Sequence, residues 1–390
     1  MIAPTSFFAD YGCHVRILEE ALILQELGNR VTICTYHNGR DIAGLDIRRT
    51  PAIPWRTGYE VGSSRHKMAF DALLGLTALG TAIQVRPDIV HGHLHEGALL
   101  GLPVSKLIGA PLVFDMQGSM TGEMVDHRFL DPEGLFYRPA RWLEKQIDHL
   151  PAAIITSSHH AANLLEIQFG CSTDRIHVVS DCVNPGAFEL SRDLGALKAL
   201  RSQLAIPPDR QIVVYLGLLA EWQGISILLQ AARRVVDHRP NTHFLIMGYP
   251  AVDVYRAKAS ILGLDGNVTF TGKIPYEDAP TYLSLGEVAV APKISATEGS
   301  GKLLNYMSIG LPTVAFDITV SREYLNDLGI YASPGDQDSL AQALETVLEN
   351  RDLAVSLGQG LRQRAIQQFS WRAAGERLMD IYDQVCRAAR

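Results

Sequence analysis

Short runs of β-branched residues alternate with longer amphipathic stretches along almost the whole chain, and this alternation limits the possible folds more than any other feature. The runs that predict strands are Val31–Tyr36, Ile89–His93, Leu112–Asp115, Ala153–Thr156, His177–Ser180, Gln211–Leu216, His243–Met247, Val268–Thr271, Val288–Ala291 and Thr313–Phe316. The stretches that predict helices include His14–Leu27, His66–Val85, Gly224–Val236, Ser339–Glu349 and Leu353–Phe369. Strands that alternate with helices are typical of parallel sheets covered on both faces.

The predicted strands are too numerous for one ordinary sheet and fit two sheets well. The strand pattern lapses over residues 185–209, where Pro207 and Pro208 precede a new strand. The sequence therefore predicts an α/β protein with two doubly wound, Rossmann-like domains, residues 1–186 and 187–369, facing a central cleft. Because such sheets bind ligands at the carboxyl ends of their strands, functional residues are expected in the strand-end loops.

The beginning of the chain is unusual for a doubly wound domain, because only Met1–Pro4 precede the first loop. Either the first strand is short or the true start lies several residues upstream, and we favour the second interpretation. The first residues contain no basic segment followed by an apolar core, so they do not indicate a signal peptide. The best candidate for a membrane span, Met68–Val85, contains Asp71, and we interpret it as a helix packed on a sheet.

Charge and cysteine content narrow the possible partners and compartment. The 390 residues carry a net charge of −7, whereas nucleic-acid-binding domains usually carry an excess of positive charge, so no nucleic-acid partner is expected. The five cysteines are odd in number and form no Cys-x-x-Cys pair, which argues against a disulfide or zinc framework. These features predict a cytoplasmic protein in a reducing compartment.

The loop after the predicted strand Val288–Ala291 is the richest in chemically useful residues. Gly299 and Gly301 allow close approach of the backbone to a ligand, and Lys302 adds a cation where the next helix begins. A helix N-terminus offers free N–H groups and positive potential, so this loop predicts a site for a phosphate or diphosphate. Glu298 is better suited to binding sugar hydroxyls. The alternative is a glycine-rich turn that only caps the helix.

Three histidines, His91, His93 and His95, follow one another at alternate positions where a predicted strand ends. Alternate residues of a strand share a face, so the three side chains are expected to point together. They favour a substrate-binding site, with a metal site or packed core histidines as alternatives. A metal site would need further ligands, and His159-His160, which is available, falls at a predicted helix start.

Two more strand-end loops contribute weaker candidates. Gly12 precedes the first long predicted helix, so the N–H groups that follow it form another position suited to an anion. Gln117 lies in the polar loop Asp115–Ser119, which is either an ordinary turn or a contact with substrate. Asp336-Gln-Asp338 precedes a helix rather than following a strand, so we interpret it as a helix cap and not as a metal-binding pair.

Several motifs together resemble those of retaining glycosyltransferases of the GT-B fold, family 4. The motifs are Pro87–His93, Val214–Gly217 with Gln223–Ile225, Phe270–Pro275, Glu298–Gly301 with Tyr306–Ala315, and Phe369-Ser-Trp371. They follow the order of the family and cover nearly the whole chain. The resemblance implies a GT-B fold whose first domain binds the acceptor, whose second binds a nucleotide sugar, and whose C-terminal helix, about residues 370–390, crosses back to the first.

The resemblance also implies transfer of a sugar from a UDP- or GDP-linked donor, with retention and without a metal or other cofactor. His93 would contact the donor sugar, with His95 as the second choice, and Glu298 would orient the sugar hydroxyls. We assign donor binding to Gly12, Gly217, Gly299, Ser300, Gly301, Lys302, Asn305 and Lys293, and weaker acceptor contacts to His95 and Gln117.

Three positions depart from the family pattern. Asn305 replaces the second glutamate of the donor motif, one residue closer than usual, and Leu218 and Gln223 replace the arginine and lysine that clamp the diphosphate. Lys302 and Lys293 are the replacements that the sequence offers for the missing cations. The departures leave a second possibility, a catalytically eroded family member that acts as a binding or scaffold protein. A metal-dependent hydrolase built on the histidines is a further alternative.

The sequence does not specify the acceptor, which can be a glycan, a lipid or a small molecule, and it does not indicate an oligomeric state. The stretch Leu135–Lys145 mixes aromatic residues with cations. Such a helix either rests on an anionic membrane surface or packs its aromatic side chains inward, and we favour inward packing. Peripheral membrane contact is therefore the second expectation for this segment.

Overall fold

The computed structural model describes residues 1–9, 12–52, 67–127, 129–295 and 299–389. The chain divides into two compact units. Of the described residues, 1–181, 299 and 371–389 form the first unit, and 182–295 and 300–370 form the second.

The first unit is built on a parallel seven-stranded sheet. Its strands are β1 (Ile2–Ala3), β2 (Thr32–Thr35), β3 (Asp46–Arg49), β4 (Val90–His93), β5 (Leu112–Met116), β6 (Ala153–Thr156) and β7 (Ile176–Val178), in the spatial order β3-β2-β1-β4-β5-β6-β7. Its helices up to this point in the chain are α1 (Gly12–Glu26), α2 (Lys67–Val85), α3 (Leu94–Ile108), α4 (Met120–Asp126), α5 (Tyr137–Asp148) and α6 (His159–Leu164). A π-helical turn, Leu165–Phe169, extends α6.

The second unit repeats this plan with a parallel six-stranded sheet. Its strands are β8 (Gln211–Leu216), β9 (Thr242–Met247), β10 (Val268–Gly272), β11 (Val288–Ala291), β12 (Thr313–Phe316) and β13 (Ile330–Ala332), in the order β10-β9-β8-β11-β12-β13. Its helices are α7 (Leu194–Gln203), α8 (Ile225–His238), α9 (Val252–Ile261), α10 (Ala279–Leu283), α11 (Gly301–Ile309), α12 (Thr319–Leu325), α13 (Gln337–Glu349) and α14 (Arg351–Gln368). The last helix of the chain, α15 (Trp371–Ala388), belongs to the first unit.

Both sheets have the doubly wound strand order, so the predicted α/β class and Rossmann-like architecture are confirmed. The order reverses between β1 and β4 in the first sheet and between β8 and β11 in the second. Ligands of such sheets bind at the carboxyl ends of the strands beside the reversal. The loops after β4, β8 and β11 therefore hold the positions where each unit is expected to bind a ligand.

The side chains of β8 point alternately to the two faces of the second sheet and so belong to two different hydrophobic clusters. Val213 and Tyr215 belong to the cluster that contains α8 and α13, whereas Ile212 and Val214 belong to the cluster that contains α11. All four side chains are almost fully buried. Because successive side chains of a strand point to opposite faces, a run of apolar residues is what a sheet covered on both sides requires.

Three strands lie outside the ten predicted runs, although a short first strand was one of the two interpretations of the start of the chain. β1 is only two residues long, Ile2–Ala3, and it is nevertheless central, pairing with β2 and β4. β3, with the sequence Asp-Ile-Arg-Arg, is an edge strand with one strand neighbour and no fully buried residue. β13 is a three-residue edge strand of the second sheet. Short or half-solvated strands of this kind leave little hydrophobic signal.

The helix α2 fits the interpretation of Met68–Val85 as a segment packed on protein. It directs Leu74, Ala78 and Ala82 into the core of the first unit. None of the described helices is both long enough and apolar enough to cross a membrane. Asp336 caps α13 by accepting hydrogen bonds from the N–H groups of Asp338 and Ser339, which confirms the predicted cap.

The C-terminal helix α15 packs on α1 within the first unit. Gly375 allows close approach, because a Cβ atom there would lie 2.5 Å from Cγ1 of Ile23. The hydroxyl of Tyr382 lies 2.5 Å from Nδ1 of His91, within β4. The last helix of the chain therefore contributes to the surroundings of the histidine strand.

Candidate functional site

The N-terminus of α11 lies in the loop that the sequence predicted to bind an anion. Ser300 occupies the N-cap position, but its side chain makes no capping hydrogen bond. Gly301 is the first helical residue and is exposed. The N–H groups at the start of a helix point toward its N-terminus, and the helix dipole favours negative charge there.

Lys302 directs its ammonium group toward the end of β8. Its Nζ donates a hydrogen bond to Oε1 of Gln223 at 2.6 Å and to the hydroxyl of Tyr215 at 3.1 Å. The same nitrogen lies 4.5 Å from the centre of the Tyr215 ring, within the range of a cation–π contact. Three contacts from two other segments therefore hold this cation in one place.

Gly217, the residue after β8, makes room for this cation. Its φ angle is +150°, and a Cβ atom there would lie 2.8 Å from Nζ of Lys302 and 3.2 Å from the Tyr215 hydroxyl. A side chain at position 217 would therefore displace the lysine. This steric role is more specific than general flexibility of a glycine turn.

The remaining predicted donor residues of the second unit have mixed surroundings. Asn305 is half-buried on α11, three residues after Lys302 and so on the same side of the helix. Lys293, two residues after β11, is only 3% exposed. Leu218 stands where the family has arginine, and its carbonyl accepts a hydrogen bond from Tyr215. Glu298 lies outside the described residues.

In the first unit, His93 ends β4 and its ring is held by an aspartate of the neighbouring strand. Its Nδ1 lies 3.0 Å from Oδ2 of Asp115, and both residues are fully buried. Arg16 on α1 binds the same carboxylate, with NH2 2.8 Å from Oδ1, and a second nitrogen lies 2.9 Å from Asp181. Glu20, one turn along α1, lies 3.1 Å from Nε of Arg16.

Charge and burial set the protonation states of this network. Burial alone would raise the pKa of Asp115, but Arg16 and His93 outweigh it and hold the pKa well below its usual range. Burial lowers the pKa of His93, although Asp115 opposes the shift. A neutral His93 that donates Nδ1–H to Asp115 leaves Nε2 as an acceptor, and Nε2 has no hydrogen-bond partner among the described residues.

The expectation that all three histidines point together is wrong. His91 and His93 do share a face and stack with ring centres 4.4 Å apart, beside Glu20 and Asp115. His95 belongs to another cluster, with Glu144 and Asp148. The strand ends at His93 and α3 begins at Leu94, so the two-residue period of a strand does not extend to His95.

Gly299, Gly12 and Gln117 complete the predicted residues of the first unit. A Cβ atom at Gly299 would lie 2.4 Å from Oδ2 of Asp181, so a larger residue there would require this carboxylate to shift. Gly12 is the exposed first residue of α1, where a Cβ atom would have no neighbour within 4 Å. Gln117 donates its side-chain amide to Oδ2 of Asp115 at 2.9 Å, which ties the loop after β5 to the His93 network.

The favoured prediction of inward aromatic side chains on α5 is wrong. Leu135 is 93% exposed, Phe136 78% and Trp142 64%. The buried face of the helix carries Glu144, Ile147 and Asp148 instead. Polar partners from α3 and the start of α4 bind these carboxylates, so the helix turns its acidic side inward and its aromatic side to solvent.

Several residues that contribute to the two sites were not predicted from the sequence. Arg16 lies inside an amphipathic helix with no motif around it, and its partners Asp115 and Asp181 are 99 and 165 residues away. Tyr306, known only as part of a motif, accepts a hydrogen bond from the N–H group of Leu216 and so ties α11 to β8. The one sequence feature that could have indicated this network was the position of Asp115 at the end of a buried strand.

Comparison with known families covers both units. Residues 11–182 match the glycosyl transferase 4-like domain, and residues 198–364 match the glycosyl transferases group 1. The chain is a group 1 glycosyltransferase. The match confirms the family and the enzyme class that the motifs predicted.

Curated relatives of this glycosyltransferase are similar over most of their length. An alpha-D-kanosaminyltransferase of Streptomyces kanamyceticus is 27% identical over 87% of this chain and 89% of its own. A D-inositol 3-phosphate glycosyltransferase of Corynebacterium aurimucosum is 25% identical over 95% of this chain and 90% of its own. A 2-deoxystreptamine glucosyltransferase of S. kanamyceticus is 24% identical over 86% and 89%.

Solved structures confirm the GT-B fold of the glycosyltransferase. Sucrose-phosphate synthase from Thermosynechococcus elongatus has a TM-score of 0.85 at 18% identity, covering 99% of this chain and 98% of that one. Anabaena HepE, solved with UDP-glucose, has a TM-score of 0.77 at 16% identity, covering 98% of each chain.

Proposed function

We propose that this glycosyltransferase transfers a sugar from a nucleoside-diphosphate sugar to an acceptor hydroxyl, with retention at the anomeric carbon. The observation that carries the proposal is the position of Lys302. Its ammonium group lies at the open N-terminus of α11, held by Gln223 and Tyr215. This arrangement supplies a fixed positive charge at a helix N-terminus, where the helix dipole also favours an anion such as a diphosphate.

In the proposed reaction the bond between the anomeric carbon and the diphosphate oxygen breaks while a bond to the acceptor oxygen forms on the same face. The acceptor proton passes to the departing phosphate oxygen, so the step needs no separate protein base. Lys302 and the N–H groups at Gly299–Gly301 stabilise the developing negative charge, with Gly12 as a further donor. Since these groups bind the diphosphate, we propose that no metal or other cofactor takes part.

Two residues are assigned to the sugar. Glu298 orients hydroxyls of the donor sugar, as the family pattern implies. Nε2 of His93 accepts a hydrogen bond from a sugar hydroxyl, since Nδ1 is held by Asp115. Because His93 is fully buried, this contact requires the residues that cover it to move.

A uridine donor is the first choice, with a guanosine donor as the alternative. The fold similarity to HepE, which was solved with UDP-glucose, supports this order. For the acceptor we favour a small polyhydroxylated molecule over a glycan or a lipid. Relatives named for transfer to D-inositol 3-phosphate and 2-deoxystreptamine support that preference.

We also propose that the protein contacts membranes peripherally through α5 and the residues before it. Leu135, Phe136 and Trp142 form an exposed apolar surface, and the same segment exposes Arg138 and Lys145. An amphipathic helix with aromatic and basic residues suits the surface of an anionic bilayer. This contact would hold the enzyme near a membrane without a spanning helix.

Calorimetric titration distinguishes the enzyme from an eroded scaffold protein. The purified chain is titrated with UDP, GDP, UDP-glucose and GDP-mannose, each to millimolar concentration. The proposal predicts saturable binding of at least one nucleotide and of its sugar conjugate. Failure of all four to bind would favour the scaffold, since the replaced clamp residues Leu218 and Gln223 would then have cost the chain its donor site.

A further inference from the structure

A second cluster of metal-ligating side chains lies in the first unit, between α3 and α5. His95 is in the first turn of α3, and Glu144 and Asp148 are one turn apart on α5. Nε2 of His95 lies 3.3 Å from Oδ1 of Asp148 and 3.7 Å from Oε1 of Glu144. All three side chains are at most 5% exposed, and one ligand atom from each lies within 4.8 Å of the others.

Apart from their close approach to each other, His95 and Asp148 direct buried atoms into the cluster that form no hydrogen bond within the described residues. Both carboxylate oxygens of Asp148 and Nε2 of His95 lack a hydrogen-bond partner in the part of the chain that the structure describes. Buried polar atoms are nearly always paired, because burying them unpaired costs free energy. Within the same described residues, no arginine or lysine forms an ion pair with either carboxylate. In the described part of the chain, two acids and one histidine therefore converge without an arginine or lysine that would compensate the two carboxylates.

Neighbouring groups hold two of the three side chains in a fixed orientation. Ser119 donates its hydroxyl to Oε1 of Glu144 at 2.7 Å, and Thr121 donates its N–H group to Oε2 at 3.0 Å. The ring of Phe114 meets the His95 ring edge-on, with centres 5.1 Å apart. Hydrogen bonds of this kind commonly orient the carboxylate ligands of metal sites.

The other buried cluster of histidines and carboxylates in the first unit differs from this one because it contains an arginine. Glu20, His91, His93 and Asp115 also have ligand atoms within 4.8 Å of one another. There, however, Arg16 lies 2.8 Å from Asp115 and 3.1 Å from Glu20. Arg16 also pairs with Asp181, and both carboxylate oxygens of Glu20 lack a hydrogen-bond partner among the described residues. The difference between the two clusters is therefore that this one contains a permanent cation, which the His95 cluster lacks.

We propose that His95, Glu144 and Asp148 bind a divalent transition-metal ion, for which zinc is the best fit. One imidazole nitrogen and two carboxylate oxygens are ligands that zinc accepts, and the two carboxylate charges equal the charge of the ion. The ion joins α3 to α5 and so fixes the helix that carries the exposed aromatic side chains. This site goes beyond the proposed transfer, and we assign the ion no part in it.

Metal binding to the full chain tests the site directly. The protein is purified without an affinity tag, stripped with a chelator, and titrated with Zn²⁺ and Co²⁺. We expect one Zn²⁺ per chain, a higher melting temperature on binding, and visible absorption bands from bound Co²⁺. No stoichiometric binding by the folded wild-type chain would overturn the proposal.

Two substitutions assign the ligands. Asp148→Asn keeps the size of the side chain and should weaken Zn²⁺ binding at least a hundredfold. Glu20→Gln, in the cluster that Arg16 compensates, is the matched control and should leave the stoichiometry unchanged. Equal binding by wild type and Asp148→Asn, or loss confined to Glu20→Gln, would contradict the assignment.

A measurement on the wild-type chain keeps the proposal testable if Asp148→Asn does not fold. X-ray absorption at the zinc edge reads the ligand set of the bound ion. One imidazole with oxygen ligands is expected. Two imidazoles would place the ion at His91 and His93 and overturn the assignment to His95.

Discussion

Nζ of Lys302 lies 2.6 Å from Oε1 of Gln223. The resemblance to the family implies a diphosphate-binding lysine at position 223, where this chain has glutamine. Lys302 lies 79 residues further along the chain. We propose that Lys302 takes the role of the cation that is missing at position 223. The neutral amide at position 223 now holds the ammonium group in place.

If Lys302 supplies the missing charge, Lys302→Ala should weaken UDP binding by roughly 1.5–3 kcal/mol, as expected for loss of a charged hydrogen bond. Calorimetric titration of both proteins with UDP measures the difference. Lys198→Ala, an exposed lysine on α7, is the control for the change of net charge and should bind UDP as the wild type does. An unchanged dissociation constant for Lys302→Ala would refute the role.

An exchange of the two side chains separates charge from position. Lys302→Gln alone should lose the same affinity as the alanine variant. Adding Gln223→Lys restores the cation to the family position and should recover at least half of the lost binding free energy. No recovery in a folded double variant would show that the cation is needed on α11 itself.

Asp115 is predicted to be important for stability as well as for the orientation of His93. It is fully buried and binds Arg16, His93 and Gln117. Asp115→Asn removes the charge that compensates Arg16, and loss of one partner of a buried pair typically costs about 3 kcal/mol or more. Urea unfolding of the variant and the wild type measures the difference in the free energy of unfolding. The control is Asp253→Asn, which removes the charge of an aspartate that is 94% exposed and pairs with Arg256. It should change the free energy of unfolding by less than ~0.5 kcal/mol.

His243 makes the folded chain sensitive to acid. Burial, with help from Arg210 and Arg201, lowers its pKa to about 4. The unfolded chain binds a proton at this residue near its ordinary pKa of 6.5, so folding stability falls as the pH drops from about 6.5 to 4. We expect His243→Gln to lose less stability over that interval than the wild type, by urea unfolding at each pH.

The exposed side chains before and on α5 predict membrane binding. Sedimentation with phosphatidylglycerol vesicles at low salt should carry down the wild-type chain, and neutral phosphatidylcholine vesicles should carry down much less. Phe136→Ser with Trp142→Ser should reduce binding to the anionic vesicles at least tenfold. Ile261→Ser, at a residue 86% exposed on α9, is the control. Equal binding by the double variant and the wild type would rule out this surface.

The sequence predicted the sheets well where strands are buried on both faces. Ala153–Thr156, Gln211–Leu216, Val288–Ala291 and Thr313–Phe316 have the predicted bounds, since a short apolar run between helices permits few other structures. The charged strand Asp46–Arg49 lacked that signal, because an edge strand pairs through its backbone and need not bury its side chains.

The motifs predicted individual site residues better than the contacts between them. Gly217, Gln223 and Lys302 were all named from the motifs, but their meeting depends on how β8 and α11 pack. Arg16 was missed because a buried arginine looks like any other cation of an amphipathic helix. The predicted orientation of α5 was wrong because Glu144 and Asp148 are charged, and charged residues are usually assigned to the side of a helix that faces solvent.

Transfer with retention is the central claim, and the stereochemistry of the first released sugar tests it most directly. Purified protein is incubated with UDP-α-glucose and other α-linked nucleotide sugars, with water as the acceptor, and the anomer formed first is read by proton NMR. The account predicts release of the α anomer with nucleoside diphosphate from at least one donor, and a slower rate for Glu298→Gln at nearly unchanged nucleotide affinity. First appearance of the β anomer, or no turnover of any donor, would contradict it.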